Sequence, residues 1–147
     1  MARFTTTIPT SRSVEDAFTF MADVRNFSSW DPGVERSTQI LGLGPGPEAA
    51  YDLAVKVGPL TTTMRYEVSE WDTPRRLVLV SNTAILESVD EIRVEATPTG
   101  STVTYDATLT LKGPLSVADG LLSSSFEKIG ARADEGLRRA LGADSVA

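Results

Sequence analysis

The segment that decides the fold is Leu115–Leu141, which reads LSVADGLLSSSFEKIGARADEGLRRAL. Its apolar and small side chains recur at helical spacing on one face, and most of its charged side chains fall on the other face. The apolar face contains Leu115, Ala118, Leu122, Ser125, Phe126, Ile129, Ala133, Gly136, Leu137 and Ala140. A helix over this range would be roughly 40 Å long, enough to cross a small domain. The small side chains on this face leave room for a neighbouring backbone or for a ligand.

The rest of the chain is dominated by short runs in which apolar and polar residues alternate, as they do in β-strands with one buried face. The predicted order is a strand at Phe4–Ile8, short helices at Val14–Ala22 and Asp23–Trp30, about six consecutive strands between Val34 and Leu111, and the long helix. Short turns between consecutive strands require antiparallel pairing. The sequence therefore predicts an α+β fold in which a curved antiparallel sheet of about seven strands wraps around the C-terminal helix.

Composition and charge limit the classes of function. The 147 residues suit one domain that covers the whole chain, 1–147. The net charge of −6 argues against nucleic acids and anionic membrane surfaces as partners, because both require a basic face. No apolar run is long enough for membrane insertion, and Met1–Thr10 lacks a secretory-signal pattern, so we expect a cytoplasmic protein. The sequence leaves both a monomer and a homodimer open.

The chain contains no cysteine and no histidine. This composition excludes thiolate nucleophiles, imidazole acid–base catalysis and most zinc sites. We therefore expect no metal and no cofactor. Any chemistry that the protein's own side chains perform must use carboxylates, hydroxyls, phenols or the basic groups of lysine and arginine.

Four segments, in this order, are similar to those of a known family: Val14–Phe18, Asp23–Pro32 with its Asn-Phe-x-x-Trp step, Tyr66–Leu77, and Thr102–Tyr105. Together with the long helix, they resemble the START/Bet v 1-like (SRPBCC) superfamily, specifically the bacterial polyketide cyclase/dehydrase and lipid-transport proteins. The resemblance implies a helix-grip fold with a cavity for a hydrophobic molecule between the sheet and the C-terminal helix. Such proteins include cyclases, lipid binders and chaperone-associated modules, so the fold does not select a function.

The alternation of the strands and the apolar face of the helix define the residues expected to line that cavity. The predicted ligand-binding residues are Tyr51, Leu53, Val55, Met64, Tyr66, Tyr105 and Ala107 on strands, Leu122, Ser125, Phe126 and Ile129 on the helix, and Trp30 at the mouth or in the packing of the second short helix. The three tyrosine hydroxyls either orient a ligand oxygen or bond to backbone carbonyls within the core.

Asp90 is the candidate for acid–base chemistry, with Tyr66 as its partner. Asp90 shares strand parity with Ile92 and Val94, which places its carboxyl group on the inward face. A carboxyl group in an apolar cavity has a raised pKa and can act as a general acid or base. The alternative is an aspartate at a strand end that faces water or pairs with an arginine.

Three functions are compatible with these observations. The first is binding of a hydrophobic small molecule, such as a polyketide or a lipid, which the mostly apolar inward positions favour. The second is a metal-free polyketide cyclase or dehydratase that positions its substrate and uses Asp90 and Tyr66 as acid and base. The third is a ligand-free module for protein interaction or chaperone association, which predicts a filled core and an exposed apolar patch.

Overall fold

The computed structural model describes residues 1–57 and 59–142, except for the side chains of Val57, Asp119, Leu121, Leu122, Ser124 and Ser125. Within these residues, seven strands form one antiparallel sheet in the order β1-β7-β6-β5-β4-β3-β2. The strands are β1 Ala2–Thr10, β2 Val34–Leu41, β3 Ala50–Val57, β4 Leu60–Asp72, β5 Arg76–Asn82, β6 Leu86–Thr97 and β7 Gly100–Leu111. The predicted α+β helix-grip architecture is confirmed.

The first short helix, α1, spans Val14–Ala22 as the sequence predicts. Ser13 caps it, because the Ser13 hydroxyl accepts a hydrogen bond from the backbone N–H of Asp16 at 3.1 Å. The second helical segment is divided into a 3₁₀ turn at Val24–Asn26 and the short helix α2 at Phe27–Trp30. These segments follow β1 directly and pack against the same side of the sheet as the long helix.

The long helix, α3, spans Asp119–Leu141, so the predicted start at Leu115 is wrong. Residues Gly113–Ala118 form a 3₁₀ turn instead. Leu115 is 45% exposed and Val117 is 91% exposed, so these side chains are not held against the sheet. Apolar burial is what stabilises most protein helices, and without it the helical spacing of Leu115 and Ala118 does not produce an α-helical turn.

α3 lies along β1 and runs in the same direction. The Ser123 hydroxyl donates to the carbonyl of Met1 at 3.4 Å, near the start of both elements. Near their ends, the Thr10 hydroxyl donates to the carbonyl of Leu141 at 2.7 Å. The Thr6 hydroxyl bonds to Asp134 between these points. Hydrogen bonds at the start, middle and end fix the helix over one edge of the sheet.

The C-terminal end of α3 is packed into the core. Leu137 is fully buried, and Ala133 and Leu141 are nearly so. Gly136 lies against α2: a Cβ atom at this position would sit 1.9 Å from the carbonyl oxygen of Trp30. One of the small residues on the helix face therefore admits a neighbouring backbone.

No helix in the described part of the chain is both long enough and apolar enough to cross a lipid bilayer. The single domain over 1–147, the cytoplasmic location, the absence of nucleic acid and the monomeric or homodimeric state stay predictions.

Candidate functional site

A cavity of about 90 Å³ lies between the sheet, α3 and the loop that joins α2 to β2. Residues from both edge strands, β1 and β2, contribute to its wall, which shows that the sheet curves around it. A water molecule needs about 10–15 Å³ of such space. The cavity therefore exceeds what a single water molecule needs, and the described side chains do not fill it.

Most of the predicted ligand-binding residues line this cavity. They are Leu53, Val55, Met64, Tyr66, Tyr105, Ala107, Phe126 and Ile129, and Asp90 joins them. The side chains of Leu122 and Ser125 lie outside the described residues.

Trp30 and Tyr51 do not line the cavity. Trp30 packs edge-on against Tyr105, with ring centroids 5.3 Å apart, and it also contacts Phe27 at 4.9 Å. Trp30 therefore packs against Tyr105 outside the cavity lining, which corresponds to the predicted packing role of Trp30 rather than to a position at the cavity mouth. Tyr51 is fully buried beyond the cavity, toward Asp23, and burial raises the pKa of its hydroxyl.

A chain of hydrogen bonds crosses the polar part of the cavity wall. The Tyr66 hydroxyl donates to the Ser88 hydroxyl at 2.8 Å. The Ser88 hydroxyl donates to Oδ1 of Asp90 at 3.4 Å. The Tyr105 hydroxyl donates to Oδ2 of Asp90 at 2.7 Å. Both oxygens of the Asp90 carboxylate thus accept hydrogen bonds from hydroxyl groups that line the same cavity.

Strand pairing brings these four residues together. In β6, buried residues alternate with half-exposed ones, so Ser88 and Asp90 face the same side. β7 is the antiparallel neighbour of β6 and places Tyr105 opposite Ile92, which puts Tyr105 diagonally adjacent to Asp90. Tyr66 reaches Ser88 from β4 across the intervening strand β5.

The surroundings of Asp90 favour its neutral form. Asp90 is only 5% exposed. Burial raises the pKa of Asp90 to about 7, the hydrogen bond from Tyr105 opposes this rise, and the charge of Asp31 adds to it. Burial also raises the pKa of the Tyr66 and Tyr105 hydroxyls, so both phenols stay protonated. Near neutral pH, Asp90 can therefore take up or release a proton.

Asp31 is a second carboxyl group in the cavity wall that sequence reasoning missed. Burial raises the pKa of Asp31 to about 6, and its hydrogen bond from the backbone N–H of Gly33 opposes the rise. The bond is 2.8 Å long. In the sequence, Asp31-Pro32-Gly33 indicates only the end of a helix, because loop residues carry no periodicity that shows where a side chain points.

The outer end of the cavity lies near the end of β3. Lys56 lines it with its side chain 49% exposed, and its Nζ atom is 4.0 Å from Oε1 of Glu35. Val55, Phe126 and Ile129 are half-buried, whereas Asp90 and Tyr105 are buried. The cavity therefore has a polar, buried inner end and an apolar mouth with one lysine among its described residues.

Further lining residues were not predicted as site residues: Phe4, Phe27, Gly33, Val34, Lys56, Ser88, Leu109, Gly130 and Ala133. Ser88 shares parity with Asp90, and Leu109 shares parity with Ala107, so the alternation of their strands could have found both. Within the described residues, no cluster of three or more acidic side chains could hold a metal ion.

The chain matches a known protein family over most of its length. A family model described as "Polyketide cyclase / dehydrase and lipid transport" matches residues 1–142. A search of curated proteins gave no match.

Several solved structures share the fold. The di-domain ARO/CYC StfQ from the steffimycin biosynthetic pathway is 16% identical with a TM-score of 0.70; the match covers 97% of this chain but 50% of StfQ. A START superfamily protein from Mycobacterium smegmatis is 14% identical with a TM-score of 0.71, covering 96% of this chain and 99% of that one. The Thermus thermophilus protein TTHA0849 is 16% identical with a TM-score of 0.75, covering 99% of both chains. At these identities the likeness concerns the fold.

Proposed function

Since the chain belongs to the polyketide cyclase / dehydrase and lipid transport family, we propose that it binds a mainly hydrophobic small molecule, such as a polyketide or a lipid, between the sheet and α3. The observation that carries this proposal is the cavity, which combines apolar walls with one hydrogen-bonded polar line. Cavities that bind small molecules commonly have this composition, because apolar walls supply affinity and a few polar groups fix orientation. The free energy of binding would come mainly from buried apolar area, at about 25 cal/mol per Å².

Binding is tested with naphthylmethanol, a compact, neutral and fluorescent probe, in a titration followed by calorimetry or fluorescence. We expect saturable binding at one site. Ala133→Phe places a large side chain in the cavity wall and should abolish it, whereas Ala131→Phe adds the same bulk at an exposed position of the same helix and should not.

Ala107→Leu is a second, milder change in the wall, which controls for a failure of Ala133→Phe to fold. Circular dichroism verifies the fold of each variant. The proposal is wrong if the wild-type protein does not bind the probe, or if the Ala133 and Ala107 variants bind it as tightly as Ala131→Phe does.

A second candidate function is cyclisation or dehydration of a bound polyketide chain. The observation in its favour is Asp90, a buried carboxyl group whose pKa is raised to about 7 and which can exchange protons near neutral pH. The carboxylate would take a proton from a carbon between two carbonyls. The resulting enolate carbon would bond to another carbonyl carbon, and the alkoxide would take the proton back. Loss of the new hydroxyl with a neighbouring proton would then release water and leave a double bond.

This second function predicts that Asp90→Asn and Tyr66→Phe lose turnover but still bind naphthylmethanol. Turnover is measured by mass spectrometry of a linear polyketone thioester and its cyclised product. Normal cyclisation by both variants would exclude the proposed roles of Asp90 and Tyr66.

The ligand-free interaction module requires a filled core, and a cavity of about 90 Å³ does not favour it.

A further inference from the structure

We propose that the cavity selects a ligand whose polar end is a cationic hydrogen-bond donor, such as a primary amine on an apolar ring system, and that it rejects carboxylates. This inference rests on the proposed binding function and specifies the chemistry of the ligand. Its basis is the direction of the hydrogen bonds in the wall and the sign of the charges that line the cavity.

The hydroxyl groups of Tyr66, Ser88 and Tyr105 each already donate a hydrogen bond within the wall. Tyr105 donates directly to Asp90, and Tyr66 donates to Ser88, which in turn donates to Asp90. A hydroxyl group has one donor and two acceptor lone pairs. Once the donors are used in this way, the wall offers the ligand oxygen lone pairs. A ligand that donates hydrogen bonds complements this wall. A ligand that only accepts hydrogen bonds must disrupt one of the bonds within it.

The two carboxyl groups that line the cavity carry charge of the same sign when ionised. Asp90 and Asp31 line one cavity, and the charge of Asp31 disfavours ionisation of Asp90. Asp106, on the other face of β7, acts on Asp90 in the same direction. Among the described lining residues, the one basic side chain is Lys56, which lies at the mouth and is half exposed to solvent. No described basic side chain at the inner end could neutralise a buried ligand carboxylate.

A buried charge is tolerated when an opposite charge with hydrogen bonds accompanies it, and it is strongly disfavoured otherwise. An ammonium group beside Asp90 would supply that opposite charge and would also donate to the carboxylate oxygens. A ligand carboxylate in the same place would add a third negative group to Asp31 and Asp90. The cavity should therefore rank ligands of equal shape by charge, with the cation first and the anion last.

Three ligands that share one ring system test this ranking: naphthylmethylamine, naphthylmethanol and naphthoate. At pH 8, where the amine is protonated and Asp90 is mostly ionised, we expect the amine to bind about tenfold more tightly than the alcohol, as for a hydrogen bond to a charged group. We expect naphthoate to bind at least about tenfold more weakly than the alcohol. The preference for the amine should decrease at pH 5, because protonation neutralises Asp90 and much of Asp31.

Two variants identify the partner of the cation. Asp90→Asn keeps the shape and should remove most of the preference for the amine, and Asp31→Asn should remove a smaller part. Asp52→Asn is the matched control, since Asp52 lies outside the cavity and its carboxylate pairs with Arg65 at 3.1 Å. This control should leave the ranking unchanged. Any naphthoate binding that disappears in Lys56→Gln takes place at the mouth and agrees with the proposal.

The outcomes distinguish a failure of the proposed binding function from a failure of the proposed ranking by charge. If none of the three ligands binds, the proposed function itself is wrong. If the alcohol binds but the amine binds no more tightly, or if naphthoate binds Lys56→Gln as tightly as the alcohol does, the binding function stands and this inference is overturned. An unchanged preference for the amine in both Asp90→Asn and Asp31→Asn would overturn it as well.

Discussion

The two halves of α3 contact the rest of the protein in different ways. In the C-terminal half, Leu137 is fully buried, Gly136 touches the backbone of Trp30, and the helix end is held by hydrogen bonds from Thr10 and Arg12. In the N-terminal half, Phe126 and Ile129 are half-buried and face a cavity. One continuous apolar face thus lines an open space as far as Ala133 and packs closely from Gly136 onward.

The comparison shows that small residues on a helix do not by themselves mark a ligand site. Gly136 is small because a backbone carbonyl occupies the adjacent space, whereas Ala133, less than one turn earlier, lines the cavity. What differs is the neighbour: the backbone of α2 approaches α3 at Gly136, whereas Ala133 faces the cavity.

The closest contact of the packed half should be the least tolerant of substitution. A Cβ atom at Gly136 would lie 1.9 Å from the carbonyl oxygen of Trp30, which is backbone and cannot rotate away. We expect Gly136→Ala to destabilise the protein by about 3 kcal/mol or more, the upper part of the range for overpacking. Urea denaturation measures the change in the free energy of unfolding.

The control for Gly136 lies in the same helix. A Cβ atom at Gly120 would meet nothing within 4 Å, so Gly120→Ala should be neutral or stabilising by up to about 1 kcal/mol. Equal effects of the two substitutions would show that helix propensity, rather than the contact with Trp30, governs this face.

Much of the fold could be predicted from the sequence because it depends on local periodicity. Alternation identified the strands, and Ser13 with the spacing of Val14–Ala22 gave the bounds of α1. The start of α3 could not be predicted in this way. Leu115 has the helical spacing of the later residues, and only the tertiary structure shows that its side chain stays 45% exposed.

The candidate site was predictable only in part, because parity gives the side of the sheet but not the depth along a strand. Tyr51 and Tyr66 are direct cross-strand partners, yet Tyr66 lines the cavity and Tyr51 is buried beyond it. Which of them meets the open space is decided by where the helices cover the sheet. Asp31 was missed because it belongs to a loop, whose side chains have no period from which to infer a direction.

Truncation of large side chains should also distinguish the two halves of α3. Leu137→Ala removes a fully buried side chain from close packing and should cost about 2–5 kcal/mol. Ile129→Ala removes a half-buried side chain that already borders a cavity, so we expect about 1 kcal/mol. Thermal and urea denaturation measure both effects. A loss at Ile129 as large as that at Leu137 would mean that the cavity end is as closely packed as the other end.

Asp90 should lower the stability of the protein as the pH rises. Its pKa is about 7 in the folded state and near 3.8 in the unfolded state, so the folded protein holds the proton more tightly. The stabilising contribution is fully present below pH 3.8 and is lost as the pH rises to about 7. Asp90→Asn does not titrate, so above pH 7 it should be more stable than the wild type by a few kcal/mol, on the order that the shift implies.

Urea denaturation of wild type and Asp90→Asn between pH 4 and pH 8 measures this difference, which should be small at the acidic end and grow with pH. A constant difference across the range would show that Asp90 ionises as easily in the folded protein as in the unfolded chain.

Asp31 should show the same sign of pH dependence over a narrower range. Its pKa rises from 3.8 to about 6 on folding, so its stabilising contribution is complete below pH 3.8 and lost by about pH 6. Asp31 is less buried than Asp90, and its hydrogen bond from Gly33 favours the ionised form. We therefore expect Asp31→Asn to gain only on the order of 1 kcal/mol above pH 6. Asparagine retains an oxygen that can accept the Gly33 bond, so a loss of stability in this variant at pH 8 would indicate that the Asp31 charge itself holds the loop at the cavity.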